Sequence, residues 1–100
     1  MPYQDILPGD VEELLQWPDL IVIDHRDSDS FADGHLPKAQ LSSDYLIHRI
    51  IRQRCKNPPI LIYCYHGYTS RDLAAFLARF GFSRIYNLEG GWQALSAADF

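Results

Sequence analysis

Two short runs constrain this chain more than any other feature: Leu20-Ile21-Val22-Ile23 and Ile60-Leu61-Ile62-Tyr63, each apolar throughout and each broken off by polar residues. A strand with one wet face alternates apolar and polar side chains. An unbroken β-branched and aliphatic run therefore belongs to a strand covered on both faces, as in a parallel sheet. Such a sheet needs crossover helices. Ser42 to Arg54 carries Leu46, Ile47, Ile50 and Ile51 at helical spacing, and Leu73, Phe76, Leu77 and Phe80 mark a second amphipathic helix closed by Gly81 in the left-handed C′ position. Asp10-Val11-Glu12-Glu13 has the form of a capping box opening a short helix that ends near Trp17-Pro18. Arg84 to Asn87 reads as a third strand, and Gly90-Gly91 opens a last helix through Leu95. This alternation predicts an α/β fold, an open parallel sheet with helices on both faces.

The chain's 100 residues, 47% of them hydrophobic, suit one domain over residues 1–100 with one core. No segment approaches the ~20 apolar residues of a membrane span, and the first twenty residues lack a leader's basic start and apolar stretch. The expectation is a soluble, cytoplasmic protein with no membrane partner. Cys55 and Cys64 form no C-x-x-C pair and no zinc-like spacing with histidine, so they read as separate thiols in a reducing compartment, with no metal. A net charge of −4 argues against nucleic acid, which needs clustered Lys and Arg. The charge is uneven: residues 1–44 hold ten acids against two bases, and residues 45–100 three acids against seven bases. Arg49, Arg52, Arg54 and Lys56 read first as simply the solvated face of a helix, and in a sharper alternative reading as a weak field that favours anions near the thiol.

In open parallel sheets, sites form beyond the carboxyl ends of the strands. Two of those ends carry unusual residues: Asp24-His25-Arg26, and Cys64-Tyr65-His66-Gly67-Tyr68-Thr69-Ser70-Arg71. The second segment runs from a buried strand into an amphipathic helix, with Thr69 or Ser70 available as N-cap. Backbone N–H groups of such a loop converge on its centre, and the positive end of the helix dipole adds to them, so the cradle favours an anion. That setting lowers a thiol's pKa. Gly67 lets the loop close with positive φ. A cysteine at a strand end is often mere packing, but four polar or small residues and a glycine before a strong helix are hard to explain that way. Cys55 has no cradle and reads as an ordinary thiol.

With these residues in view, the chain resembles the rhodanese family along almost its whole length, and within it the single-domain thiosulfate sulfurtransferases of the bacterial GlpE type. Leu20 to Arg26 followed by Phe31-Ala32-Asp33-Gly34-His35-Leu36-Pro37-Lys38-Ala39 is similar to the family's D-x-R segment leading into G-H-[IL]-P-G-A. The Cys64 loop, Gly81-Phe82 and Tyr86-Asn87-Leu88-Glu89-Gly90-Gly91 resemble the family's second motif and its G-G ending. The resemblance implies that Cys64 is the nucleophile that becomes a persulfide, that Tyr65, His66, Gly67, Tyr68, Thr69, Ser70 and Arg71 surround it, and that Asp24, Arg26 and His35 are scaffold near the site. It implies a small anionic sulfur donor such as thiosulfate, a thiophilic acceptor such as cyanide or a thioredoxin-like thiol, and no metal or organic cofactor. The loop departs from the family in having Tyr65 and Thr69 where many members place arginine, which leaves Arg71 and protonated His66 as substitutes toward an anion. Lys38 replaces the usual glycine before Ala39, predicting a looser turn, and His25 reads as a satisfied core histidine.

Two other classes compete. A cysteine-dependent phosphatase or arsenate reductase needs C-x5-R, with the arginine clamping phosphoryl oxygens. Here the sixth residue after Cys64 is Ser70 and the arginine comes one later, which misplaces it. A non-turnover sulfur carrier, or a regulatory module for a protein partner, is the other alternative, and the intact cysteine and Gly67 speak against an inactive module.

Overall fold

The computed structural model describes residues 2–97. Its parallel sheet contains β1 (Gln4–Ile6), β2 (Ile21–Asp24), β3 (Gln40–Leu41), β4 (Ile60–Tyr63) and β5 (Ile85–Leu88), in the spatial order β1-β5-β4-β2-β3. The helices are α1 (Val11–Leu15), α2 (Ser28–Asp33), α3 (Asp44–Ile51), α4 (Thr69–Ala78) and α5 (Gly91–Ala97). The apolar run of β4 is the centre, and all four of its residues are buried. Its side chains alternate between two cores. Leu61 and Tyr63 join Val22, Leu88 and the α1 and α5 residues Val11, Leu14 and Leu95, while Ile60 and Ile62 join Ile23, Ile85 and the α3 and α4 residues Leu46, Ile50, Ala74 and Leu77. Both faces are covered, which is why no polar residue interrupts the run. No helix among the described residues is long and apolar enough to cross a membrane.

The differences from the sequence reading have local causes. β1 and β3 are short edge strands that bury only Ile6 between them, so they leave no hydrophobic pattern. α2 buries nothing and is set by its cap, with Asp27 accepting from Ser30 N at 3.0 Å. The capping box expected at Asp10 and Glu13 does not form. Asp10 instead turns back to accept from Leu7 N at 3.1 Å, closing a single 3-10 turn ahead of α1. α3 stops at Ile51 rather than Arg54, where Lys56 Nζ donates to the Ile51 carbonyl. α4 stops at Ala78, so Gly81, with φ 98°, lies one residue past the expected C′ position, and β5 ends at Leu88 rather than Asn87. Lys38 does not loosen its turn. The residue takes φ 68° after Pro37, Ala39 N donates to Leu36 O at 3.1 Å, and Lys38 Nζ donates to Trp17 O at 2.9 Å. A proline followed by a left-handed residue is the type II pattern, which explains why glycine suits this position.

A buried polar brace ties the ends of β2 and β4 to the segment after α2. Asp24 is fully buried and accepts from Arg26 through Nε at 2.9 Å and Nη2 at 2.6 Å. Arg26 Nη2 also reaches Gly34 O at 2.6 Å, and its guanidinium lies 4.6 Å from the Trp92 ring. Tyr63 completes the brace, its hydroxyl donating to Asp24 Oδ2 at 2.7 Å and accepting from Leu36 N at 3.1 Å. Burial pushes that hydroxyl's pKa up, so it remains a donor. Tyr63→Phe leaves the Leu36 N–H and one Asp24 oxygen buried without this partner, and is expected to lower unfolding stability by about 2 kcal/mol in urea titration. A loss within error would mean that the brace contributes nothing net.

Candidate active site

Cys64 follows the last residue of β4 and is 4% exposed. Its Sγ receives Gly67 N–H at 3.0 Å, Ser70 N–H at 3.4 Å and lies 3.2 Å from Ser70 Oγ. The loop turns its amides inward through Gly67, whose φ is 91°. Burial pushes the thiol up. The Ser70 and Thr69 hydroxyls and the backbone N–H groups of Ser70 and Gly67 outweigh it, bringing the pKa down from 9.0 to about 7. The positive end of α4 acts in the same sense. Neither Thr69 nor Ser70 is the N-cap of α4. Tyr68 occupies that position without a side-chain bond, and the Ser70 hydroxyl is directed at Sγ and at Asn87 Oδ1, 2.5 Å away.

Amides that point inward leave carbonyls pointing outward, and α5 takes them. Trp92 N donates to Cys64 O at 2.8 Å and Gln93 N to Tyr65 O at 3.0 Å. The approach needs Gly91 to be a glycine. A Cβ there would lie 2.4 Å from Cys64 O and 2.6 Å from Tyr65 O, and φ is 63°. The Gly90-Gly91 pair was expected to open a helix; its closer duty is to let that helix touch the loop.

Above the sulfur is a pocket of about 190 Å³ lined by Cys64, Tyr65, His66, Tyr68 and Thr69, with no lysine or arginine among them. Tyr65 is 49% and Tyr68 70% exposed, and His66 packs edge-on to Tyr65 at 4.8 Å. Arg71 is absent from this lining, and its Nε sits 3.6 Å from Asp5 Oδ1. Asp24 and Arg26 are likewise away from the sulfur, in the brace, although Arg26 shares a neighbouring hollow with Tyr65 and Trp92. His35 is exposed, its Nδ1 2.8 Å from Phe31 O and its ring stacked on Phe31 at 3.9 Å. His25 Nδ1 is 3.0 Å from Ser42 Oγ, and Cys55 is a free, exposed thiol. Among the described residues no group of three or more His, Cys, Asp or Glu is placed to hold a metal.

Sequence reasoning overlooked Asn87 and Asp5. Asn87 is fully buried on β5, donating Nδ2 to Asp5 Oδ1 at 2.9 Å while its Oδ1 faces Ser70. The available signal was a lone amide in an otherwise apolar stretch, which must find partners. The whole arrangement can keep a thiolate near neutral pH and hold a negative charge on sulfur.

A family model described as a rhodanese-like domain matches residues 7–98. The thiosulfate sulfurtransferase GlpE of Pseudoalteromonas translucida is 34% identical over 98 residues, covering 98% of this chain and 93% of the relative. The GlpE of Coxiella burnetii is 33% identical over 97 residues, covering 97% and 91%. Among solved structures, a rhodanese-like domain protein of Staphylococcus aureus superposes with a TM-score of 0.73 at 24% identity, covering 92% of this chain and 90% of that one. A Rhodopseudomonas palustris protein described as a possible tyrosine phosphatase superposes at 0.79 with 19% identity, covering 97% and 82%, a likeness of fold alone.

Alkylation of Cys64 by iodoacetamide, followed by peptide mass, should rise with pH and inflect near 7, because only the thiolate reacts and its pKa is about 7. Ser70→Ala removes a donor that favours the thiolate, so the inflection moves up. An unchanged inflection in that variant would remove the Ser70 hydroxyl from the account.

Proposed function

The chain belongs to the rhodanese-like domain family, and we propose that it is a thiosulfate sulfurtransferase in which Cys64 carries sulfur as a persulfide. One observation carries the reading: a nearly buried thiol whose sulfur receives two backbone amides and faces a hydroxyl, with its pKa held at about 7. The Cys64 thiolate attacks the outer sulfur of thiosulfate, the S–S bond of the donor breaks, and sulfite leaves with the electron pair. The charge moves to the terminal persulfide sulfur, within reach of the same donors. Cyanide or a thiol then attacks that sulfur, the persulfide S–S bond breaks, and Cys64 returns as thiolate. Tyr65, His66, Tyr68 and Thr69 line the approach, and His66 is the group among them that could offer a cation to the anionic donor. Gly67 and Ser70 supply the cradle. Asp24, Arg26 and His35 serve the scaffold. Residues 1–100 act as one domain, in a reducing compartment such as the cytoplasm where both thiols stay free.

Phosphatase chemistry is disfavoured by Arg71, which faces Asp5 instead of closing over the pocket. The exposed rings of Tyr65 and Tyr68 favour a second reading, transfer to a thiol on a protein acceptor, because aromatic rims suit protein contacts. Turnover of thiosulfate and cyanide, together with a mass gain of roughly 32 Da after thiosulfate alone, is expected for the native protein and for neither in Cys64→Ser. Sulfur uptake without cyanide turnover would select the protein-acceptor reading, and absence of both would overturn the proposal.

A further inference from the structure

Ser70 has one hydroxyl proton and two atoms that want it. Its Oγ lies 3.2 Å from Cys64 Sγ and 2.5 Å from Asn87 Oδ1. When Cys64 is a thiol, the arrangement is satisfied as a chain, with S–H donating to Oγ and O–H donating to the amide carbonyl. When Cys64 is a thiolate, it needs the proton that Asn87 also accepts, since a thiolate only accepts. Which way the amide faces therefore decides how freely Ser70 serves the sulfur. That orientation is set from β1. Asp5, acceptor-only when ionised, takes Asn87 Nδ2 at 2.9 Å, and Gly67 O lies 3.4 Å from the same nitrogen, so the carbonyl is left toward Ser70. Asn87 is fully buried, so its amide is held by these protein partners.

We propose that Asn87 and Asp5 are positioning residues for the sulfur chemistry: together they hold an amide carbonyl against Ser70 that competes with Cys64 for its single proton. The pair acts through Ser70 and touches no reacting atom. The charged and titratable groups around this chain are Asp5 from β1, Arg71 from α4 and His66 from the loop, and Arg71 Nε lies 3.6 Å from Asp5 Oδ1. The consequence is a brake on thiolate formation whose strength is fixed by an edge strand outside the Cys64 loop. Release of the brake, with Asn87 free to turn its Nδ2 toward Ser70 Oγ, gives the proton wholly to sulfur.

The inference rests on the proposed role of Cys64 as a thiolate, and its test reads ionisation rather than turnover. Thiolate absorbance is titrated in a Cys55→Ser background for the otherwise native protein, Asp5→Asn, Asn87→Ala, Ser70→Ala, and each of the first two combined with Ser70→Ala. Asp5→Asn is nearly isosteric at a side chain 30% exposed, so it folds even if Asn87→Ala does not. Asp5→Asn and Asn87→Ala should each lower the Cys64 pKa by roughly half a unit. With Ser70 absent, the shift should fall to less than half of that value. Equal shifts with and without Ser70 would assign the effect to the Asp5 charge and overturn the proposal, as would no shift where Ser70 is present. A protein that titrates as expected but takes up no sulfur from thiosulfate sinks the sulfurtransferase reading and leaves the Asn87 and Asp5 assignment standing.

Discussion

A loop that aims its amides at one atom must aim its carbonyls away from it, and the rest of this site depends on where those carbonyls go. A buried carbonyl without a partner would cost about as much as the cradle gains. The first turn of α5 resolves this by donating Trp92 N and Gln93 N to Cys64 O and Tyr65 O, and Asn87 Nδ2 stands near Gly67 O. Gly91 is where that contact is made, so a residue well outside the Cys64 loop decides whether the loop can exist. The fold is arranged around this pairing of one helix's amino end with another strand's exit.

The same economy governs charge. Asp24 is bound to Arg26 and Asp5 is near Arg71, so these four charged groups are engaged with one another. What faces the sulfur is dipolar: two N–H groups, a hydroxyl and the end of α4. Fixed dipoles need no rearrangement when an anion arrives or leaves, whereas a mobile counter-ion would have to follow it. For a reaction that brings in one anion and releases another while sulfur stays negative, this constancy favours each step without holding either ligand tightly. It also accounts physically for a loop that does without arginine at Tyr65 and Thr69.

The fold was legible where hydrophobic pattern and burial coincide. The runs at residues 20–23 and 60–63 announced the covered strands β2 and β4, and the 3.6-residue stripes announced α3 and α4. β1, β3 and α2 left no such trace, because edge strands and a polar one-turn helix are fixed by backbone pairing and by the Asp27 cap rather than by apolar burial. At the site, Cys64, Gly67 and Ser70 were readable from the strand-loop-helix context. Asn87, Asp5 and the Tyr63 hydroxyl were not, because each acts through a partner distant in sequence: 82 residues separate Asn87 from Asp5, and 39 separate Tyr63 from Asp24. Spacing arguments see neighbours along the chain, and these contacts exist only once the strands are side by side.

The position of the Cys64 pKa has a meaning beyond making a thiolate available. In the proposed cycle the same sulfur is nucleophile in one half and leaving group in the other. Lowering its pKa increases the thiolate fraction and speeds departure, but it weakens the attack, since nucleophilicity falls with basicity. Raising it does the reverse and leaves most of the protein as inert thiol. A value of about 7 sits where the two halves are balanced at neutral pH. Burial alone would push the thiol above that point, and the cradle's hydroxyls and backbone N–H groups pull it down. The opposition between burial and the cradle's donors thus sets a middle value, and in the proposed arrangement the Asn87 carbonyl draws on the same Ser70 proton that serves the sulfur.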